Sequence, residues 1–401
     1  MLARPRGSRE WMWALGGAAA LIAFGLVSPG DALRAVRRGT DVYFFLAGMM
    51  VLAELARREG VFDWLAGHAA RAARGSPLRL LALVYGVGTI VTALLSNDAT
   101  AVVLTPAVAA VARKANAAPL PHLYACAFVA NAASFILPIS NPANLVVYAG
   151  AIPPLGRWLA LFGVPSILSL AATFAALVWI ARSDLKGRTN GPESVLPLGS
   201  PGRAALGGIA LTALALIAAS ALAAPLGAVT LAAAAVVLAT VTLLDRYVAT
   251  PVLRSVSWGV LVLVAGLFIL VQGLDGTGLL DAARRGAETL AAWPLGGAAV
   301  TAAVTTALAS NVVNNLPAGL VAGTAVSHLG GHAALKGATA IGIDLGPNLS
   351  VTGSLATILW MTALRREGIA IDAGAFLRAG IVVMPPALLL AIAGLYFAAR
   401  F

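Results

Sequence analysis

The side chains able to do chemistry gather at four places, each inside apolar sequence. These are Ser96-Asn97-Asp98, Ser140-Asn141-Pro142-Ala143-Asn144, Ser310-Asn311-Val312-Val313-Asn314-Asn315, and Asp344 through Gly346-Pro347-Asn348 to Thr352 and Ser354. Asparagine and proline interrupt helices, and an unpaired amide in hydrocarbon is costly. The simplest reading is that the amides only satisfy broken backbone. Four breaks in repeating order favour a binding site instead. Amide, hydroxyl and freed carbonyl oxygens suit a hard cation or an uncharged hydroxylated solute, and half-helix N-termini suit an anion. No Lys or Arg lies at any break. That disfavours a strongly anionic substrate such as a tricarboxylate unless cations or helix dipoles neutralise it. The expected substrate-binding residues are Ser96, Asn97, Ser140, Asn141, Asn144, Ser310, Asn311, Asn314, Asn315, Asn348 and Thr352.

Two carboxylates accompany them. Asp98 and Asp344 lie in apolar surroundings, where an ionisable group defaults to a functional role; both are expected to handle a coupling ion. The structural alternative for Asp98 is an N-cap for the segment beginning at Ala99. Asp344 could likewise cap. Glu54 precedes Arg57 and Arg58 at a helix end and reads as an interfacial ion pair. Asp41, after Thr40, reads as a cap. His68, His122, His328 and His332 stand at loop or helix ends, where solvated or interfacial imidazoles are expected. Cys126, the single cysteine, reads as a packed small residue and excludes both a disulfide framework within the chain and a tris-thiolate metal site. No phosphate-binding glycine loop, metal-spaced histidine pair or protease dyad is present, so no enzyme, cofactor or metal is expected.

The elements that must position these groups follow from composition. The chain has 401 residues, 60% hydrophobic and 11% charged, with a mean hydropathy of +0.91. A soluble domain carries roughly 25% charge, so this is a polytopic membrane protein. Its apolar runs are long and rich in Ala, Leu, Val and Gly, which means helices and not a β-barrel. Segments 78–95 and 99–112, split by Ser96-Asn97-Asp98, read as one re-entrant hairpin (78–112); 290–309 and 312–326 read as a second (290–326). The stretches 122–150 and 338–364 read as discontinuous helices.

Leu46-Ala47-Gly48 recurs as Val264-Ala265-Gly266, and Ser96-Asn97 as Ser310-Asn311. We therefore expect a first repeat over 1–181, a cytoplasmic linker over 182–203 and a second repeat over 204–401, with helices 204–222 and 226–244 as plain scaffold. With nine spans and a cytoplasmic N-terminus, 19 of the 27 Lys and Arg residues fall on the cytoplasmic side and 8 outside, as the positive-inside tendency requires. The net charge of +11 is thus topology control and not a nucleic-acid surface. The first hairpin then opens inward and the second outward, the plan of inverted repeats, although two full spans per hairpin give the same count.

The runs Ser96-Asn97-Asp98-Ala99-Thr100 through Thr105-Pro106, Ser310 through Pro317, and Asp344 through Trp360 resemble the arsenical-pump permeases of the ion transporter superfamily, over nearly the whole chain from about Pro29. The resemblance implies a homodimeric, elevator-type antiporter in the inner membrane that exports arsenite or antimonite in exchange for protons, with sodium as the alternative coupling ion, conferring arsenic resistance. Some relatives act with an ATPase subunit in trans. The proline in Ser140-Asn141-Pro142-Ala143-Asn144 is nearer the wider anion-transporter pattern. The alternatives are a sodium/proton antiporter or a sodium-coupled di- or tricarboxylate transporter of the same superfamily.

Overall fold

In the computed structural model, which describes residues 10–148, 152–190 and 195–400, every regular element is helical, with no strand among the described residues. Among the described residues seven helices are long and apolar enough to cross a membrane, and eight spans result if the pair Pro29–Arg38 and Thr40–Arg58, bent by 52°, counts as one. Leucines and valines such as Leu211, Leu214, Val236 and Leu243 lie exposed on the outer surface, as hydrocarbon-facing side chains do. Local signals set the helix starts. The Ser28 hydroxyl accepts from the Asp31 amide at 3.0 Å ahead of Pro29, and the Ser76 hydroxyl accepts from Arg79 at 3.3 Å ahead of Pro77. Asp372 does the same for Ala373–Ala398, accepting from the Ala375 amide at 2.9 Å.

The helix order occurs twice. Glu10–Ala23, Pro29–Arg38, Thr40–Arg58 and Val61–Ala72 precede the first hairpin, the first broken helix and Leu155–Ile180. Leu226–Leu244, Ala249–Ser255, Gly259–Leu274 and Leu279–Ala291 precede the second hairpin, the second broken helix and Ala373–Ala398. Helix Leu226–Leu244, expected to be plain scaffold, therefore stands where Glu10–Ala23 stands in the first half. Among the described α-helices, Ser200–Ala221 alone has no counterpart.

The contact register fixes the orientation of the halves. Trp11, Ala14 and Leu21 meet Gly259, Gly266 and Gly273 in rising order, so Glu10–Ala23 runs parallel to Gly259–Leu274. Gly227 and Thr230 likewise meet Asp41 and Gly48, so Leu226–Leu244 runs parallel to Thr40–Arg58. Arg38 bonds Gln272 while Tyr43 packs on Phe268, which makes Thr40–Arg58 antiparallel to Gly259–Leu274. Equivalent helices of the two halves thus point opposite ways, and the repeats are inverted. Each half's first helix crosses the other half's third at glycine. A Cβ on Gly48 would lie 2.7 Å from the Thr230 carbonyl oxygen, and one on Gly266 would lie 2.9 Å from Ala14. Asp41 caps across this crossing: its carboxylate accepts from the Gly227 amide at 2.8 Å, so it serves the partner helix and not its own. Glu54 pairs with Arg57 as expected.

Pro77–Leu94 forms the first arm of the first hairpin. The second arm runs from Asn97 through a π-helical turn at Thr100–Leu104 into Thr105–Lys114. Pro106, which has no amide hydrogen, accounts for the widened turn. Leu295–Val313 and Asn315–Val326 form the second hairpin. The broken helices are Pro119–Ala132 with Pro142–Tyr148, and Ala333–Leu345 with Leu355–Arg366. Asn315–Val326 packs on Pro142–Tyr148, and Leu355–Arg366 packs on Thr100–Leu104. Each hairpin therefore locks against the other repeat's broken helix.

Candidate transport site

The first broken helix opens at Ala133, and side chains take up the carbonyls it frees, as an apolar interior demands. Asn144 Nδ2 donates to the Ser134 carbonyl at 2.8 Å, Trp158 Nε1 to Phe135 at 3.1 Å, and Asn348 Nδ2 to Phe128 at 3.2 Å. Ser140 Oγ accepts from the Leu137 amide at 3.1 Å and donates to the Ala93 carbonyl at 3.2 Å, which ties this break to the first hairpin.

Among the bonds that join the repeats across the centre, two are equivalent. Asn141 Nδ2 donates to Asp344 Oδ1 at 2.7 Å, and Ser354 Oγ donates to Asn131 Oδ1 at 3.5 Å. The same 213-residue spacing separates Asn131 from Asp344 and Asn141 from Ser354. Both donors cap the second half of their own broken helix, Asn141 at the Ala143 amide (3.0 Å) and Ser354 at Thr357 (3.1 Å). The pattern is one interaction repeated by the inverted symmetry. Asn131 also donates to Asn348 Oδ1 at 3.0 Å. All five side chains are buried. The chemical groups differ: the donor is an amide in one bond and a hydroxyl in the other, and the acceptor is a carboxylate in one and an amide in the other. Asp344 Oδ2 is buried with no hydrogen-bond partner among the described residues.

The second tip is half-exposed. Asn311 Nδ2 donates to the Ala307 and Gly346 carbonyls at 2.7 and 2.8 Å, while its Oδ1 accepts from Ser350 Oγ at 2.5 Å. Thr352 Oγ1 donates to the Asn311 carbonyl at 3.0 Å. Asn314 turns the hairpin at φ +78° and ψ 153°, a region that costs a residue with a side chain about 1–3 kcal/mol. Its amide offsets part of that by donating to Thr352 O at 3.3 Å and accepting from the Leu316 amide at 3.4 Å. Ser310 turns inward to the Thr306 carbonyl at 2.9 Å, and Asn315 is buried at the start of the return arm. At the first tip Ser96 is the cap, accepting from the Ala99 amide at 3.2 Å, and Asn97 Oδ1 accepts from the Asp98 amide at 3.0 Å. Asp98 is therefore not the cap. Its half-buried carboxylate has no side-chain partner among the described residues.

Asn131 and Ser350 are the polar residues that sequence reasoning passed over. Asn131 is the lone amide of the apolar helix Pro119–Ala132, with no proline or second amide next to it in the sequence to mark the break that follows. His122, expected at an interface, is buried with Nδ1 on the Ala118 carbonyl at 2.9 Å. Cys126 is buried and free. Among the described residues no group of three His, Cys, Asp or Glu side chains could hold a metal.

A family model described as citrate transporter (CitMHS) matches residues 5–349. The arsenical pump membrane protein of Escherichia coli strain K12 is 29% identical over 415 residues, 96% of this chain and 92% of that protein. Its namesake in Yersinia enterocolitica is 28% identical over 419 residues, 98% and 94% of the two chains. An uncharacterized transporter of Mycobacterium tuberculosis is 28% identical over 411 residues, 97% and 93%. Among solved structures, the YdaH transporter of Alcanivorax borkumensis, described as having an unusual topology, aligns over 98% of this chain and 96% of its own. The TM-score is 0.57 at 17% identity, a likeness of fold.

Proposed function

The chain belongs to the citrate transporter (CitMHS) family of membrane transporters, and on that premise we propose a secondary carrier that exports arsenite or antimonite in exchange for protons. The observation that carries this reading is the make-up of the site. Four breaks offer amides, hydroxyls and two incompletely partnered carboxylates, with no Lys or Arg among them. Arsenite near neutral pH is mostly an uncharged trihydroxide, which amides and hydroxyls can hold by hydrogen bonds without a cationic clamp. One buried cysteine rules out multiple thiolate coordination. Relatives named as arsenical pumps at 28–29% identity over nearly the whole chain support the same substrate.

In this reading Asp98 and Asp344 carry the coupling ion, Asn311, Asn314 and Asn315 hold the solute with Asn97, Asn141 and Thr352, and the protein is an inner-membrane homodimer with a cytoplasmic N-terminus. A trans-acting ATPase is an optional partner. The family description favours one second reading, a sodium-coupled carboxylate carrier. It requires sodium ions or the N-terminus of Leu355–Arg366 to neutralise the substrate. Everted vesicles separate the two. The first reading expects arsenite accumulation when the vesicle interior is acid, abolished by a protonophore and indifferent to sodium. Arsenite uptake that ignores the proton gradient, with sodium-dependent citrate uptake in its place, would overturn it.

A further inference from the structure

Helix Pro142–Tyr148 presents one face to helix Ala333–Leu345. Asn141 holds Asp344 Oδ1 at one end, and Lys336 sits over the Tyr148 ring at the other, 4.7 Å from its centroid. The same two helices carry Asn144 and Tyr148, four residues apart and so on one face, and Asp344; the oxygens concerned are Asn144 Oδ1, the Tyr148 hydroxyl and Asp344 Oδ2. All three oxygens are buried and none has a hydrogen-bond partner among the described residues. Tyr148 lies within electrostatic reach of Asp344. Buried polar atoms are rarely left unpaired without a reason, and here three are carried by two helices in contact. The line ends at Lys336, which is half-buried in the first turn of its helix beside the loop that follows the second hairpin.

We propose that this line, Lys336–Tyr148–Asn144–Asp344, is a proton lane that connects Asp344 to the side on which the second hairpin opens. The inference rests on the proton-coupled reading above and adds the route and the residues that guard it. A hydronium ion at the mouth gives up its proton to the Asp344 carboxylate, leaving water behind and an uncharged carboxyl group in the core. That group then has a hydrogen to donate, and the unpaired Asn144 Oδ1 is an acceptor on the facing helix. Arsenite or antimonite leaves by the opposite stroke of the same cycle.

Lys336 sets the threshold for loading. It stands eight residues from Asp344 on the same helix, about 12 Å along the axis. Its positive charge favours the ionised carboxylate. The other elements packed on Ala333–Leu345 bring little competing charge. Leu295–Val313 and Asn315–Val326 carry no ionisable side chain. Pro119–Ala132 carries His122, bonded to Ala118, Tyr124, which stacks with Phe128, and buried Cys126. Leu155–Ile180 brings the exposed Arg157, and Ala373–Ala398 brings the exposed Arg378 and also Tyr396.

The test reads the proton without any substrate. Purified protein in liposomes is titrated while the infrared carbonyl stretch of the protonated carboxyl is followed, in wild type and in Asp344→Asn, Lys336→Gln, Lys336→Arg and Tyr148→Phe. The expected result is a titrating band absent from Asp344→Asn. Its midpoint rises by about one pH unit in Lys336→Gln and is unmoved in Lys336→Arg. Tyr148→Phe removes a hydroxyl that bonds nothing in the protein, so a merely structural residue would leave exchange unchanged; a lane residue slows proton-driven exchange several-fold. A band that persists in Asp344→Asn, or a midpoint indifferent to Lys336→Gln, overturns the lane even if transport is proton-driven. A titrating, Lys336-dependent band in a protein that does not move arsenite would sink the substrate assignment and leave the lane standing.

Discussion

Asp344 and Asn131 occupy equivalent positions in the two repeats and make the same kind of bond, so the repeat itself is a control for what the carboxylate adds. An asparagine at 344 would still accept from Asn141 through its amide oxygen, because Asp344 uses only Oδ1 for that bond. Asp344→Asn should therefore melt within a degree or two of wild type while losing proton-driven exchange. A large drop in melting temperature would return Asp344 to a structural role. Asn131→Ala should do the reverse. It strips the donor from Asn348 Oδ1 and leaves that buried oxygen unpaired at a cost of about 1–3 kcal/mol, which thermal unfolding in detergent would read; Ser354 keeps its bonds to Thr357. The sequence made Asp344 visible because a carboxylate in an apolar run is conspicuous. It hid Asn131 because a lone amide in a helix signals nothing until its partner, more than 200 residues away, is placed beside it.

The first and third helices of the two halves meet at two crossings in which small residues let backbones approach, as membrane packing favours. A methyl group on Gly48 or Gly266 would press on the Thr230 or Ala14 backbone. Gly48→Ala and Gly266→Ala should each destabilise by about 1–3 kcal/mol. Gly207→Ala, with nothing within 4 Å of the new carbon, should be neutral or stabilising by up to about 1 kcal/mol. Equal melting temperatures for the three variants would show that the crossings are loose. This geometry explains what could be read beforehand. Leu46-Ala47-Gly48 and Val264-Ala265-Gly266 repeat because backbone contact admits only glycine there. Helices Glu10–Ala23 and Leu226–Leu244 contribute to the same crossings through Ala14 and Thr230, which any apolar helix could contain, so their equivalence was not legible. The breaks were legible because Asn and Pro in hydrocarbon demand an explanation. The bonds that close them were not, because each runs between distant segments.

At the scale of the molecule, the crossed helices form a frame, and the hairpins with the broken helices form a unit locked by Asn141–Asp344 and Asn131–Ser354. A groove of about 1650 Å³ separates the frame from the second hairpin, with Leu263, Leu267 and Leu270 on one wall and Thr301, Thr305 and Ala309 on the other. The two walls differ in kind: leucines that ask nothing of their neighbours face threonines and small side chains on a hairpin whose polar bonds all point the other way, into its own unit. The frame can therefore shed the hairpin without leaving a buried polar group unpaired, whereas separating the two repeats inside the unit would break the central bonds. If transport moves the unit as a body along the frame, as an elevator does, bridging the groove must stop it. In a Cys126→Ala background, Leu267→Cys with Thr305→Cys joined by a thiol-reactive cross-linker of matching length should abolish arsenite exchange. A reducible cross-linker should allow recovery, while each single cysteine stays active. Continued exchange in the bridged protein would mean that the hairpin tip alone opens and closes, with Asn314 as its hinge.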